Sequence, residues 1–375
     1  MDNRCLYNND NKQSLIISWL RFPLIVMIVY IHSYGLPPEN SHLPIIQSGL
    51  YEITRTVVSN MICQSAVPCF FFISGFLMFY KIEEWNTCIY LKKIQKRIYT
   101  LLIPYVAWNF IALCVWFARL IREGMSFFDA WSMYWNKGLL SGFWNMYYVG
   151  GATLDWFGGK TYMSGPADLP FWYLRDLIVV TLFSPIIYYC IRRLRVWWVA
   201  FLGLVFVSGV WQYPCSGFST VAFFFYSAGA YFSITNTNFV ALFRRYSSLA
   251  YFTYTILLFL LIIFPFLNVW FFPLFRLIGL FAIFGLADWF LRDTQIHYPS
   301  VCSDSSFFIY AVHYVFFLSF CDDIVEQVFP SSHELTHAIQ YLLSPLIRIN
   351  VYIGIFYIAK RFFPAMTSLL TGSRS

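Results

Sequence analysis

The chain alternates long apolar runs with short polar segments along its whole length. A bilayer core about 30 Å thick needs about 20 apolar residues per helix. The pattern therefore predicts ten membrane-spanning helices. They are expected at Leu15–Tyr34, Val57–Tyr80, Ile98–Leu120, Phe171–Tyr189, Val196–Tyr213, Phe218–Ile234, Leu249–Phe264, Pro273–Leu291, Ser306–Val325 and Ala338–Ala359. Only FPFLNVWFFP (264–273) separates the seventh from the eighth, and Pro265, Asn268 and Pro273 predict a tight turn there.

Composition agrees with this pattern. Hydrophobic residues make up 59% of the chain and charged residues only 11%, whereas soluble domains carry about 25% charged residues. Such a sparse charge excludes a soluble multidomain enzyme. The aromatic share of 22% suits helix anchoring at membrane interfaces. We therefore predict an all-α, polytopic membrane protein in contact with lipid, forming one domain over residues 1–375.

Basic residues occur in short clusters between the apolar runs, at KKIQKR (92–97), RRLR (192–195) and RR (244–245). This spacing is typical of cytoplasmic loops and does not indicate nucleic-acid binding. With the N-terminus in the cytoplasm, the cytoplasmic segments hold sixteen Lys and Arg residues and the opposite segments hold four. The asymmetry predicts that both termini are cytoplasmic.

The longest polar segment, from about Arg122 to Pro170, is then predicted to lie outside. It is rich in Gly, Trp and Tyr. Segments of this length usually carry function or cover a site. Aromatic rings beside polar groups would suit sugar rings, and a plain connector is the alternative interpretation.

The first predicted helix contains Arg21 and His32, eleven residues apart in RFPLIVMIVYIHSYG. At about 100° and 1.5 Å per residue, both side chains share one helix face and lie about 16 Å apart along the axis. An arginine inside a bilayer is costly unless it faces a partner or a water-filled cavity. The alternative is that Arg21 reaches the membrane surface and His32 is a structural, hydrogen-bonded residue.

The Arg-x10-His spacing resembles the first helix of membrane-bound acyltransferase family 3, the multi-pass O-acyltransferases that modify surface carbohydrates. Four further blocks resemble the family in the expected order. They are VPCFFFISGFLMFY (67–80), KKIQKRIYTLLIPYVAWN (92–109), PFWYLRDLIVVTLFSPII (170–187) and SSFFIYAVHYVFF (305–317). One departure is that Lys93 and Lys96, next to Arg97, replace the family's frequent Arg-x-x-Arg, so the charge is kept while the bidentate guanidinium geometry is mostly lost.

The resemblance implies O-acyl transfer, most simply O-acetyl transfer, from cytosolic acyl-CoA to a carbohydrate or glycolipid hydroxyl. Acyl-CoA is expected as a co-substrate, with no bound cofactor and no metal. Its phosphates would contact Lys92, Lys93, Lys96 and Arg97, and its acyl arm would follow the Arg21–His32 face. His32 would act as general base, because a neutral imidazole accepts protons near neutral pH. Direct transfer is the preferred mechanism, and an acyl-histidine intermediate stays open.

Three more polar residues in the apolar runs are candidates for the acceptor site: Arg175 and Asp176, which open the fourth predicted helix, and His313 in the ninth. Arg175 and Asp176 have an equal alternative as a pair that anchors the interface. Arg348 in the tenth helix is a further ionisable residue at membrane depth. Ser74-Gly75 is expected to be a close-packing site, because small residues let helix backbones approach.

Two other classes of function compete with the enzyme. A transporter or flippase would explain ionisable residues in the membrane, but paired Gly- or Pro-broken helices in two matching halves are not visible. A structural or sensing protein explains neither the Arg21–His32 spacing nor the cationic first loop. The composition, rich in aromatic residues and Asn, suggests a bacterium, and hence the cytoplasmic membrane.

Overall fold

The computed structural model describes residues 3–33, 49–154, 160–209, 216–294, 298–330 and 333–372. Its helices are α1 (Asn3–His32), α2 (Leu50–Arg55), α3 (Ala66–Phe79), α4 (Thr87–Arg97), α5 (Ile103–Arg122), α6 (Phe127–Trp135), α7 (Ser141–Trp144), α8 (Trp172–Leu182), α9 (Ser184–Leu194), α10 (Val196–Val207), α11 (Thr220–Ile234), α12 (Phe239–Ile263), α13 (Asn268–Trp289), α14 (Ser300–Val315), α15 (Phe320–Val328), α16 (Glu334–Phe362) and α17 (Pro364–Thr371). Its strands are β1 (Tyr147–Leu154) and β2 (Lys160–Gly165).

Several helices continue through tighter or wider turns. π-helical turns cover Thr56–Met61, Ile98–Leu102 and Phe290–Thr294, and 3₁₀ turns cover Ile62–Ser65, Leu169–Phe171 and Pro265–Leu267. α2 and α3 thereby join into one helical rod over Leu50–Phe79, and α4 and α5 into another over Thr87–Arg122. π-turns inside helices are rare and often mark functional positions.

Six helical segments in the described ranges are long and apolar enough to cross a membrane, or up to eight if each of two bent pairs is one span. The bent pairs are Leu169–Leu182 with Ser184–Leu194, at 61°, and Ser300–Val315 with Phe320–Val328, at 90°. α10 and α11 are shorter apolar helices. Each of the ten predicted segments falls on one of these helices or pairs, so the all-α, polytopic membrane fold is confirmed. The count of ten crossings and the orientation stay predictions.

The turn between the seventh and eighth predicted helices is shorter than predicted. α12 ends at Ile263, one 3₁₀ turn follows at Pro265–Leu267, and α13 starts at Asn268. Pro273 was expected to close the turn, but it lies inside α13. It is the sixth residue of the helix, so it removes one intrahelical hydrogen bond near the N-terminal end of α13.

Small residues bring α3 and α11 into backbone contact. A Cβ added to Gly75 would lie 2.7 Å from the carbonyl carbon of Tyr226, and one added to Gly229 would lie 2.8 Å from the carbonyl carbon of Phe72. The two glycines thus face opposite backbones across one interface. This contact confirms the prediction that Gly75 marks a close-packing site.

Aromatic side chains fill the space beside this interface. The Phe72 ring lies 5.5 Å from the rings of Phe239 and Phe243 and 5.3 Å from that of Phe284. All four side chains are buried. Edge-to-face pairs at such distances contribute about 0.5–1.5 kcal/mol each beyond their buried area. Much of the high aromatic content therefore packs helices together inside the protein.

The long polar segment before α8 is folded. It contains α6, α7 and an antiparallel hairpin in which Tyr147 pairs with Gly165. The backbone N–H of Ala167 donates to the carbonyl of Gly142 at 2.7 Å. The Tyr105 hydroxyl, from α5, donates to the carbonyl of Phe143. The segment is thus fixed against the helices, which a plain connector would not require.

Candidate functional site

A cavity of about 740 Å³ lies between α1, α3, the α4–α5 rod, α8 and α14. Its apolar wall comes mainly from α1, α3 and α8. The polar side chains that line it are Arg21, His32, Gln64, Ser74, Lys93, Lys96, Arg97, Thr100, Tyr173, Ser303, Asp304, Ser306 and Tyr310. One cavity thus brings together Arg21, His32, Lys93, Lys96 and Arg97, which the sequence singles out.

Four of these residues are cations: Arg21, Lys93, Lys96 and Arg97. Positions three and four apart share a helix face, so Lys93, Lys96 and Arg97 lie together on the N-terminal half of the α4–α5 rod. Lys92 is exposed and does not line the cavity. Within the described residues, none of the four cavity cations forms an ion pair with a carboxylate. They are therefore free to bind an anionic ligand.

The cavity also holds one carboxylate, Asp304, which pairs with Lys360 at 3.4 Å. The lining continues past the cations into the π-turn at Ile98–Leu102, where Thr100 and Leu101 face the cavity. The π-turn widens the rod directly after Arg97. The cations and the apolar cavity wall are in this way joined on one continuous helical element.

Arg21 and His32 face the same cavity, as their eleven-residue spacing predicts. They lie about 16 Å apart along α1, and Ile25 and Ile28 line the wall between them. Arg21 is exposed to this space, whereas His32 is half-buried. A cationic side chain and an imidazole thus line one cavity, with apolar side chains between them.

A second histidine lies beside the first. The rings of His32 and His313 are 5.2 Å apart between centroids, and the ring of Tyr314 lies 5.7 Å from that of His32. His313 is buried, and its Nδ1 lies 2.8 Å from the carbonyl oxygen of Tyr310. Its Nε2 is buried and has no hydrogen-bond partner among the residues described. The sequence could not bring these two histidines together, because 281 positions separate them.

The break between α14 and α15 explains this position of His313. α14 ends at Val315, two residues after His313, and the chain bends by 90° before α15. The carbonyl of Phe316 at the bend accepts a hydrogen bond from the Tyr352 hydroxyl at 2.8 Å. The Nδ1 of His313 interacts with the carbonyl of Tyr310, three residues earlier on the same helix.

Arg175 and Asp176 do not line the cavity. Both are buried and pair at 3.0 Å. Arg175 also donates to the carbonyls of Trp144 and Ser164, at 2.5 and 2.9 Å. These bonds join α8 to α7 and to the hairpin, which matches the anchoring alternative. Contact of this pair with an acceptor stays a prediction.

Another buried carboxyl, Asp168, was not singled out from the sequence. It is fully buried, and neither carboxyl oxygen has a hydrogen-bond partner in the described part of the chain. Its backbone N–H donates to the Oδ1 of Asn109 at 3.0 Å. Burial raises the pKa of Asp168 well above that of an ordinary aspartate. Its place in a Gly- and Pro-rich loop gave no signal of burial.

Arg348 finds its partner in Asp322, at 2.8 Å, and its guanidinium lies over the Phe317 ring at 4.0 Å. Asp322 is 39% exposed, while Arg348 is 6% exposed. This pair joins α15 to α16. Over the ranges described, three or more His, Cys, Asp or Glu side chains nowhere meet in a way that could hold a metal ion.

Comparisons with known proteins agree with the resemblance in the sequence. A family model for acyltransferase family 3, described as an acyltransferase domain, matches residues 15–359. The chain is 23% identical to the succinoglycan biosynthesis protein ExoH of Rhizobium meliloti (strain 1021) over 379 aligned positions, which cover 98% of this chain and 94% of that protein. No solved structure matches this chain. These findings do not favour the transporter alternative.

Proposed function

This chain belongs to acyltransferase family 3, and from that premise we propose that it transfers an acyl group from acyl-CoA to a hydroxyl of a surface glycan or its lipid-linked precursor. The acyl-CoA enters from the cytoplasm, and the protein resides in a bacterial cytoplasmic membrane. The observation that supports this most directly is the cavity that joins His32 to four cations, none of which forms an ion pair within the described residues. The similarity to a succinoglycan biosynthesis protein supports a polysaccharide acceptor.

The nucleotide end of CoA carries several phosphates, and these need cations. Lys93, Lys96 and Arg97 form one face of the helical rod at the cavity, and Arg21 lies across from them on α1. Lysine binds phosphate as a point charge, so Lys93 and Lys96 can still bind phosphate although they replace the arginines of the family's Arg-x-x-Arg. We assign the phosphates to this group of cations.

The pantetheine arm then extends along α1. The distance of about 16 Å from Arg21 to His32 is spanned by an apolar wall that includes Ile25 and Ile28. An apolar channel suits a thin, flexible arm and keeps bulk water from the thioester. The thioester carbonyl would come to rest beside His32. Acetyl-CoA is the donor to test first, and a larger acyl-CoA such as succinyl-CoA is the comparison.

His32 acts as general base in this proposal. The acceptor hydroxyl attacks the thioester carbonyl, a C–O bond forms and the C–S bond breaks, while the hydroxyl proton moves to His32. The departing thiolate takes that proton, so His32 returns to its neutral form. Half-burial beside the cavity allows the imidazole to meet a hydroxyl that arrives from the opposite side.

The test is the acyl content of the host's surface glycan, measured by mass spectrometry. It compares the wild type, a deletion strain, and the deletion strain carrying either wild-type or His32→Ala protein at equal amounts in the membrane. We expect acylation to disappear in the deletion and to return only with the wild-type protein. The mass difference names the acyl group. A deletion that leaves acylation unchanged but lowers the amount of surface glycan would contradict the proposal and favour transport.

A further inference from the structure

The Nδ1 of His313 is hydrogen-bonded, whereas its Nε2 has no hydrogen-bond partner among the described residues. Its Nδ1 lies 2.8 Å from the Tyr310 carbonyl oxygen. A carbonyl oxygen only accepts, so Nδ1 carries the hydrogen in that bond. His313 is 4% exposed, and burying an unpaired charge is costly, so the neutral ring is favoured. In a neutral ring protonated at Nδ1, Nε2 has a lone pair and no hydrogen.

The bare Nε2 lies next to the proposed base. It is buried and has no partner in the residues described, and the His32 ring is 5.2 Å away between centroids. A buried acceptor without a donor costs free energy, so its retention calls for an explanation. His32 is the adjacent side chain that brings both an N–H donor and access to the cavity.

We propose that His313 is a positioning residue that accepts the N–H of His32 at its own Nε2 and so fixes the tautomer of the base. This inference rests on the proposed function and deepens it. With one His32 nitrogen donating to His313, the other nitrogen is bare and faces the cavity. That nitrogen takes the proton of the acceptor hydroxyl. The resulting imidazolium keeps its N–H directed at His313, which strengthens that hydrogen bond as the charge develops.

The chain of contacts fixes each tautomer in turn. The backbone carbonyl of Tyr310 fixes His313, and His313 then fixes His32. Hydrogen bonds at a catalytic centre are often long without substrate and tighten in the reacting complex. The His32–His313 bond is expected to shorten when acyl-CoA fills the cavity. Tyr314, which meets the His32 ring edge-on, limits rotation of that ring away from His313.

Two substitutions separate this role from simple packing. In His313→Asn the amide reaches about as far as Nδ1, so it can bond the Tyr310 carbonyl but offers nothing at the Nε2 position. In His313→Gln the amide reaches about as far as Nε2 and can present its oxygen to His32. Both are made in the full chain and purified in lipid nanodiscs. The donor is acetyl-CoA, or the acyl-CoA named by the glycan mass, and the acceptor is unacylated glycan from the deletion strain.

We expect His313→Asn to lower kcat by about tenfold or more, with the KM for acyl-CoA within about twofold of wild type because the cations are untouched. His313→Gln should recover a clear part of that kcat. Equal kcat values for the Asn and Gln variants, whether both normal or both low, would overturn the inference. If the kcat of His32→Ala equals that of the wild type, His32 is not the general base. That result contradicts the proposed function itself, and with it this inference.

A measurement on the wild type covers the case in which both variants fail to fold. Nitrogen-15 NMR of histidine-labelled protein in nanodiscs distinguishes a protonated ring nitrogen from a bare one. We expect His313 to be neutral and protonated at Nδ1, with an Nε2 signal that shifts when His32→Ala removes the donor. A His313 protonated at Nε2, or an Nε2 signal unmoved by His32→Ala, would overturn the inference.

Discussion

Replacing Gly75 by alanine should separate α3 from α11, because the new methyl group has no space. It would lie 2.7 Å from the carbonyl carbon and 2.9 Å from the Cα of Tyr226, and closer still to the carbonyl oxygen. These are backbone atoms, so no side chain can rotate away. Gly229 repeats the arrangement from the other side, 2.8 Å from the carbonyl carbon of Phe72.

The cost follows from this overlap. Overpacking a close-packed interior costs about 1–3 kcal/mol, occasionally more. Because rigid backbone faces the methyl group, we expect Gly75→Ala to cost about 3 kcal/mol. Gly229→Ala should cost a similar amount alone. The two should not add, because helices that one methyl group has already separated have room for the second. A coupling of about 1–3 kcal/mol is expected for such neighbours.

The assay is unfolding of the purified protein as the SDS fraction of mixed micelles rises, followed by tryptophan fluorescence. Gly354→Ala in α16 is the matched control, because a Cβ there meets no atom within 4 Å. Alanine in an open helical position should stabilise by about 0.5–1 kcal/mol. The reasoning is refuted if Gly75→Ala unfolds no earlier than Gly354→Ala, or if the costs of Gly75→Ala and Gly229→Ala simply add.

Three further predictions concern charge. Lys93→Ala should raise the KM for acyl-CoA up to about fivefold, because a charge contact of this kind contributes roughly 1 kcal/mol. Lys92 lies outside the cavity lining, so Lys92→Ala should change that KM less than about twofold. Asp322→Asn should destabilise more than Arg348→Gln in the SDS assay, because Arg348 is 6% exposed and Asp322 is 39% exposed, and only the first change leaves a buried charge unpaired. Asp168→Asn should stabilise the folded protein at pH 7. Burial raises the pKa of Asp168 in the folded state, so an ionised Asp168 lowers the free energy of unfolding, and asparagine removes that charge. Wild-type stability should rise as the pH falls through that raised pKa, so the advantage of the Asn variant should shrink there.

Each of these predictions has a result that would contradict it. Equal KM values for the Lys93→Ala and Lys92→Ala variants would remove Lys93 from the acyl-CoA site. A larger loss of stability in Arg348→Gln than in Asp322→Asn would contradict this reasoning. It would mean that loss of the arginine, and not an unpaired buried arginine, is the larger cost. An Asp168→Asn variant whose stability relative to wild type does not change between neutral and acid pH would show that folding does not raise the pKa of Asp168.

The helices were predictable because each apolar run is long enough to dominate local structure. The breaks inside two spans were not. The apolar sequence continues from Phe316 to Leu318, so nothing local indicates that a helix stops there. At Phe183 the signal was local, because Pro185 lies in the first turn of α9, but hydropathy alone does not use it. At the bend after α14, the carbonyl of Phe316 accepts a hydrogen bond from a distant hydroxyl, that of Tyr352. Hydropathy alone carries no information on such a partner.

The site was predictable along one helix and only partly across helices. The 100° rotation per residue placed Arg21 and His32 on one face, and the structure puts both in one cavity. The grouping of Lys93 and Lys96 with them came from the family resemblance. The contact of His32 with His313, and the partner of Arg348, needed the fold, because these pairs are distant in sequence and each residue alone sits in an ordinary apolar run.

The most direct test of the central claim is acyl transfer by the purified protein in nanodiscs, with radiolabelled acetyl-CoA, or the acyl-CoA named by the glycan mass, and unacylated glycan from the deletion strain. The wild type is compared with His32→Ala and with His333→Ala, a histidine outside the cavity. We expect label to enter the glycan with the wild-type and His333→Ala proteins and not with His32→Ala. Label that enters equally with all three would contradict catalysis by His32, and no label with any of them would contradict the acyl-CoA donor.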